Sequence, residues 1–163
     1  MEIRDADSGR FVRLEPVSYQ FPEMIGVEFD SDWLIIRGRA RSDEEEWTFQ
    51  DPSLLVDEAL QFGSWMREAA RGRAPLLVPD EEGHTWPTTE TIEPNLGFGV
   101  LSYRSGFVTV RAFLWLESGP PSTWDGRTKT DMDFFIDLTT PQDSLHRAAD
   151  DWDASLEKFP KRT

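Results

Sequence analysis

The sequence holds no cysteine and only 2 histidines in 163 residues. Without cysteine there is no disulfide framework and no thiolate metal site, and the absence fits a reducing compartment. Two histidines leave few side chains whose charge changes near neutral pH. Positive charge is scarce as well: 17 Lys and Arg stand against 31 Asp and Glu, a formal net charge of −14. A field of that sign repels nucleic acid and anionic membrane and attracts cationic partners from a distance. No run approaches the roughly 20 apolar residues that span a bilayer. The opening Met1-Glu2-Ile3-Arg4-Asp5 lacks the apolar segment of a signal peptide. The expected location is therefore the cytoplasm, with neither nucleic acid nor membrane as a partner.

What the chain does contain is enough for one domain covering residues 1–163. Seven Trp and 11 Phe supply large buried areas per residue. A chain of this length buries about two-thirds of its unfolded surface, so it is expected to fold without metal or cofactor. Residues 1–9 are expected as a frayed polar terminus and residues 160–163 as a tail.

Strand signals come first. Phe11 to Phe21 is rich in β-formers, with Pro16 marking an edge or a bulge. Residues 32–50 read as a hairpin around the acidic turn Ser42-Asp43-Glu44-Glu45-Glu46. A helix is expected from Asp51 as N-cap and Pro52 as first residue. Leu55, Ala59, Phe62, Met66 and Ala69 form its buried stripe, and Gly72 its C′ residue. After a polar loop at 79–87, strands are expected at Thr88–Glu93, Leu96–Tyr103 and Phe107–Glu117, with the turn Arg104-Ser105-Gly106 between the last two. Ser118–Arg127 is a loop by its Gly-Pro-Pro and Asp-Gly.

Lys129–Leu138 alternates, placing Thr130, Met132, Phe134, Ile136 and Leu138 on one face and the carboxylates of Asp131, Asp133 and Asp137 on the other. The spacing predicts a half-buried antiparallel strand with an acidic outer face. A final helix starts near Thr140-Pro141-Gln142-Asp143 and carries Leu145, Ala149, Trp152, Leu156 and Phe159 inward. The order of three strands, helix, four strands, helix predicts an α+β fold. It comprises a mostly antiparallel sheet of about six or seven strands with two helices packed on one face.

Chemistry-bearing residues are few. Asp131 and Asp133 lie about 7 Å apart along a strand, workable for a divalent ion. No His or Glu at matching spacing completes that site, and a solvated acidic stripe explains the pair as well. His84, in a polar loop beside Trp86, and His146, in the last helix, have no nucleophile motif near them and read as surface residues. Glu93-Pro94-Asn95 reads as a turn device. The glycines of Asn95-Leu96-Gly97-Phe98-Gly99 lack the Lys-Ser/Thr of a phosphate loop. Further carboxylates stand at Asp80–Glu82 and at Asp150, Asp151, Asp153 and Glu157.

Five segments appear in a recognisable order. They are Tyr19-Gln20-Phe21-Pro22, Asp32-Trp33-Leu34-Ile35-Ile36-Arg37-Gly38, Trp47-Thr48-Phe49-x-Asp51-Pro52-x-Leu54-Leu55, Phe62-x-x-Trp65, and Ile92-Glu93-Pro94-Asn95-Leu96-x-Phe98. Together they resemble the WapI-type immunity protein family of bacteria, over most of residues 19–117. The resemblance implies a small cytoplasmic protein that binds and blocks a cognate contact-delivered toxin, with no catalytic motif to carry over. It does not extend past about Leu116. The acidic final strand and helix are therefore the expected partner-specific part, with Asp131, Asp133, Asp137, Asp150 and Asp153 facing a basic toxin domain. The rival readings are a metal-dependent hydrolase using Asp131, Asp133 and Glu93, and a non-catalytic acidic accessory domain.

Overall fold

The computed structural model describes residues 1–123 and 132–163; the side chain of Thr123 is not described. Among the described residues, seven strands and two α-helices follow one another in the order β1 (Glu2–Arg4), β2 (Phe11–Tyr19), β3 (Trp33–Arg41), β4 (Glu46–Leu55), α1 (Val56–Ala70), β5 (Leu96–Arg104), β6 (Phe107–Leu114), β7 (Phe135–Pro141) and α2 (Gln142–Leu156). The α+β expectation holds, and every strand pairing is antiparallel. The strands divide, however, into two sheets, β1-β2-β3-β4 and β5-β6-β7. One apolar cluster joins both, because Leu14, Ile36 and Phe49 of the first sheet share it with Phe98, Val110 and Leu138 of the second.

Alternation explains which face each sheet turns inward. Along β7, Ile136, Leu138 and Thr140 are buried while Asp137 and Thr139 are half-buried on the other face. The helices complete the core. Phe62 of α1 stacks on Phe98 at 4.5 Å between ring centroids and meets Trp152 of α2 edge-on at 5.5 Å. Trp152 is fully buried, and its indole N–H donates to the Ala59 carbonyl at 2.8 Å, so its one polar atom is satisfied. Gly63 lets the helices approach, since a Cβ there would stand 2.2 Å from Asp153 Oδ1.

Several boundaries differ from the sequence expectation. Residues 1–9 are not frayed: Glu2–Arg4 pair with Phe11–Arg13, and Ile3 and Asp5 are buried. Asp5 ties the two sheets, accepting from the backbone N–H groups of Asp7 and Ser8 and, at 2.8 Å, of Thr139 in β7. Asp51 and Pro52 do not start the helix. They lie in β4, opposite Ile36 and Ile35 beside a bulge, because pairing with β3 continues to Leu55. The helix is capped instead by Glu58, whose carboxylate accepts from the Leu55 N–H at 2.8 Å. Asp51 receives the Asn95 side-chain amide at 3.3 Å. Thr88–Glu93 is not a strand, and α2 begins after Pro141 without a side-chain cap. Within the expected Lys129–Leu138 strand, β7 starts only at Phe135, and residues 129–131 lie outside the described ones.

Other local readings stand. The Pro16 bulge appears as a register shift between Pro16 and Ser18. Gly72 ends α1 at φ 73°, and the β5–β6 turn places Ser105 at φ 51° and Gly106 at φ 83°, as a two-residue hairpin requires.

Candidate partner-binding surface

Of the five carboxylates singled out from the sequence, the four described ones do not form one open acidic face. Asp131 lies outside the described residues. Asp133 is exposed just before β7 and borders a groove of about 530 Å³ with His84, Trp86, Arg111 and Phe135. Asp137 stands opposite Arg111 in the β6–β7 register. Its two oxygens accept a bidentate pair from the guanidinium at 2.8 and 2.9 Å. Arg111 also donates to Thr85 Oγ1 at 2.9 Å and lies 3.6 Å above the Phe135 ring. Asp137 thus helps to fasten the chain around Thr85 to the outer face of the second sheet.

Asp150 and Asp153 sit elsewhere, on the seam between the helices. Both clamp Arg67 of α1, with Asp150 Oδ1 at 3.0 Å and Asp153 Oδ2 at 2.5 Å. The two carboxylates raise the Arg67 guanidinium above its ordinary pKa, Asp153 more than Asp150. Arg67, with His146 3.3 Å away, holds the Asp150 carboxyl below the usual carboxylate range against a smaller desolvation. The structure therefore brings Asp150 and Asp153 together around a cation and leaves Asp137 on a different face. Of the described carboxylates, Asp137, Asp150 and Asp153 each meet a cation supplied by another element. Neither Arg67 nor Arg111 is marked by any spacing in the sequence, because each partnership bridges residues far apart in the chain.

The outer face of the first sheet repeats the pattern. Glu2 pairs with Arg4 and Arg13, Glu15 with Arg37, and Glu46 with Arg39. Exposed pairs of this kind contribute about 0–1 kcal/mol each, so they matter more for where the net charge emerges than for stability.

The residues of the rival hydrolase reading are also in view. Glu93 is exposed next to Pro94 and Asn95, and the buried Asn95 amide donates to Ser53 Oγ at 3.0 Å, which makes the junction a structural clasp. Among the described residues, no three His, Asp or Glu stand close enough to hold a metal ion. His84 is exposed, with Nδ1 3.5 Å from Glu82, and His146 caps no nucleophile but faces Asp150. A cleft of about 200 Å³ opens beside Glu58 and is walled by Leu54, Phe62, Trp65 and Phe98. Burial pushes the Glu58 carboxyl up despite hydrogen bonds from the Leu55 and Ile92 N–H groups.

One surface was not singled out from the sequence. In the β2–β3 loop every residue from Phe21 to Asp30 is exposed, and five of those ten are Phe21, Met24, Ile25, Val27 and Phe29. The legible sign was a run that fits neither strand nor helix periodicity yet keeps large apolar residues.

These features describe an acidic α+β fold whose described polar side chains largely fasten its own elements together and which leaves the apolar residues of the β2–β3 loop exposed. The chain matches the immunity protein WapI-like family over residues 3–160, nearly its whole length, and belongs to that family. No curated protein and no solved structure matches it. Among the described residues, no helix is long and apolar enough to cross a membrane.

Proposed function

We propose that this protein is a cytoplasmic, non-catalytic inhibitor that binds a cognate toxin domain and covers a cationic surface on it. The observation that carries the reading is membership of an immunity family across residues 3–160. The net charge of −14 supports the cationic partner. Complementary charge speeds encounter, with association rates reaching about 10⁸–10⁹ M⁻¹s⁻¹ at low salt, against about 10⁵–10⁶ M⁻¹s⁻¹ without it. Asp131 and Asp133, with Asp137, Asp150 and Asp153, contribute to that field; the last three do so from behind Arg111 and Arg67.

The test is to produce the toxin domain encoded beside this chain in a bacterial host, with and without the protein. Restored growth and a direct complex in calorimetry are expected. Asp131→Lys combined with Asp133→Lys should slow association and flatten its salt dependence while thermal stability stays the same or rises. Absence of both rescue and complex would refute the reading, and turnover of nucleic acid, peptide or phosphoester lost in Asp131→Ala would replace it with the hydrolase.

A further inference from the structure

The β2–β3 loop is built to stay outside. Ile25 is 74% exposed, Phe29 51% and Val27 45%. Apolar side chains set next to one another in water on a monomer's surface mark a site that another molecule covers. The loop is nevertheless ordered from both sides. At its C-terminal end the buried Ser31 accepts the Val27 N–H on Oγ at 2.8 Å and returns its own N–H to the Val27 carbonyl at 3.1 Å. The Asp32 N–H donates to the Phe29 carbonyl at 2.9 Å.

The last residues supply the second brace, so 160–163 are a strut rather than a tail. The buried Asp32 carboxylate accepts the Arg162 N–H at 2.6 Å and the Thr163 hydroxyl. Arg162 reaches the Pro22 carbonyl at 2.6 Å with its guanidinium 4.3 Å above the Tyr19 ring, and its own carbonyl accepts the Gly26 N–H. The Tyr19 hydroxyl donates to the Pro160 carbonyl at 2.5 Å. These bonds fix the base of the loop without covering its apolar side chains.

Phe29 adds a local sign of function. It holds φ at 63°, a left-handed conformation that a bulky aromatic residue rarely adopts. Backbone strain of this kind persists where the surroundings enforce it and clusters at ligand contacts. Here the enforced conformation carries a half-exposed ring.

We infer that the β2–β3 loop is the anchor this protein inserts into its toxin: Ile25, Val27 and Phe29 fill an apolar groove on the toxin domain whose rim carries Lys or Arg. The proposal rests on the immunity reading above and names the contact it uses. Charge chooses the occupant. Residues 21–30 contain Glu23, Glu28 and Asp30 and no basic residue. An anionic bilayer or a second copy of a chain at −14 would meet this loop with charge of the same sign. A cationic rim around an apolar floor complements it, and a few central apolar anchors carry most of the energy of such an interface.

The experiment measures the affinity of the toxin domain encoded beside this chain for wild type, for Ile25→Ser with Val27→Ser, and for Phe29→Gly. Glycine relieves the left-handed backbone while removing the ring, so Phe29→Gly should melt at or above the wild-type temperature and yet bind roughly 30-fold or more weakly. The double variant should lose at least as much affinity, and Glu28→Lys with Asp30→Lys should slow association chiefly at low salt. If wild type binds and both apolar variants bind equally well, the loop proposal is wrong while the immunity reading stands. If wild type fails to bind, both fall. A wild-type dimer in sedimentation, or binding to vesicles of phosphatidylglycerol, that the double variant abolishes while toxin affinity is unchanged would assign the loop to self-association or to a membrane and overturn the proposal.

Discussion

Two long loops both leave large apolar residues exposed, but only the α1–β5 loop also buries one: Leu77 is covered while Leu76, Val78, Trp86 and Ile92 stay exposed. The α1–β5 loop, residues 71–95, lies down on the outer face of the second sheet; the β2–β3 loop stands away from the first. Glycine makes the difference. A Cβ on Gly99 would be 2.4 Å from Leu77, and a Cβ on Gly97 would be 2.4 Å from Pro87, so each glycine is a notch that admits a loop side chain. Leu77 then joins Phe113 and Trp115 in a small buried cluster, and Trp86 rests edge-on against Trp115 at 6.0 Å. Arg111 holds the same loop through Thr85. Among the described residues, no surface receives the apolar side chains of the β2–β3 loop in this way. That loop's hydrogen bonds go to Ser31, Asp32 and Arg162 at its base, and its apolar tips are left in water. An apolar loop residue is therefore informative only once it is known whether the fold provides a place for it.

Filling a notch should have the largest effect. In Gly99→Leu the Leu77 side chain loses its place, and overpacking plus exposure of Leu77 should destabilise the protein by about 3 kcal/mol. Denaturant unfolding would measure it, and the Trp115 environment should change with it. Wild-type stability in that variant would break the comparison, since the loop would then be held by Arg111 and Thr85 alone.

Removing the brace of the other loop should come next. Asp32→Ala leaves the Arg162 N–H and the Thr163 hydroxyl without their acceptor and should cost about 2 kcal/mol, the range for hydrogen bonds to a buried charged group. Limited proteolysis should then cut within residues 21–30 far faster than in wild type. Equal cleavage would mean that Ser31 orders the loop without the C-terminal strut.

The smallest effect is a pH response confined to the α1–β5 loop. The Asp80 carboxylate accepts the Trp86 indole N–H at 3.1 Å and the backbone N–H groups of His84 and Glu82. The Trp86 bond, then the His84 bond, hold its pKa below the ordinary 3.8 despite some desolvation. A folded-state pKa below the unfolded one means stabilisation that is complete above about 3.8 and lost as pH falls through the lowered value. The Trp86 indole N–H resonance should hold its position down to pH near 4 and shift below it. Asp80→Asn should shift it at neutral pH and remove the acid response, with residues 21–30 unaffected in both.

Much of the architecture could be read from residue order. The hairpins, the stripe Ala59, Phe62, Met66 and Ala69, the Gly72 stop and the α2 stripe around Trp152 all follow from periodicity and turn chemistry, which are properties of neighbours in sequence. The misread boundaries share a cause. Asp51-Pro52 is a sound helix start in isolation, but strand pairing with Ile36 and Ile35 keeps it extended, and Glu58 caps the helix four residues later than expected. Glu2–Arg4 is too short and polar to announce itself, yet β2 supplies its partners and Ile3 is buried between elements.

The charged surface shows the same division. The sequence by itself determined how much acid the protein carries, that it belongs to an α+β class, and that segments within residues 19–117 resemble an immunity scaffold; the family match runs on past Leu116 through the final strand and helix. Only the tertiary structure decided which carboxylates meet a cation and which apolar side chains lack a cover. Arg67 reaches Asp150 and Asp153 across 83 and 86 residues and Arg111 reaches Asp137 across 26, while Asp32 takes the backbone N–H of Arg162 across 130. Net charge and periodicity are sums over local sequence; ion pairing and exposure depend on distances that exist only after distant segments have been folded against one another.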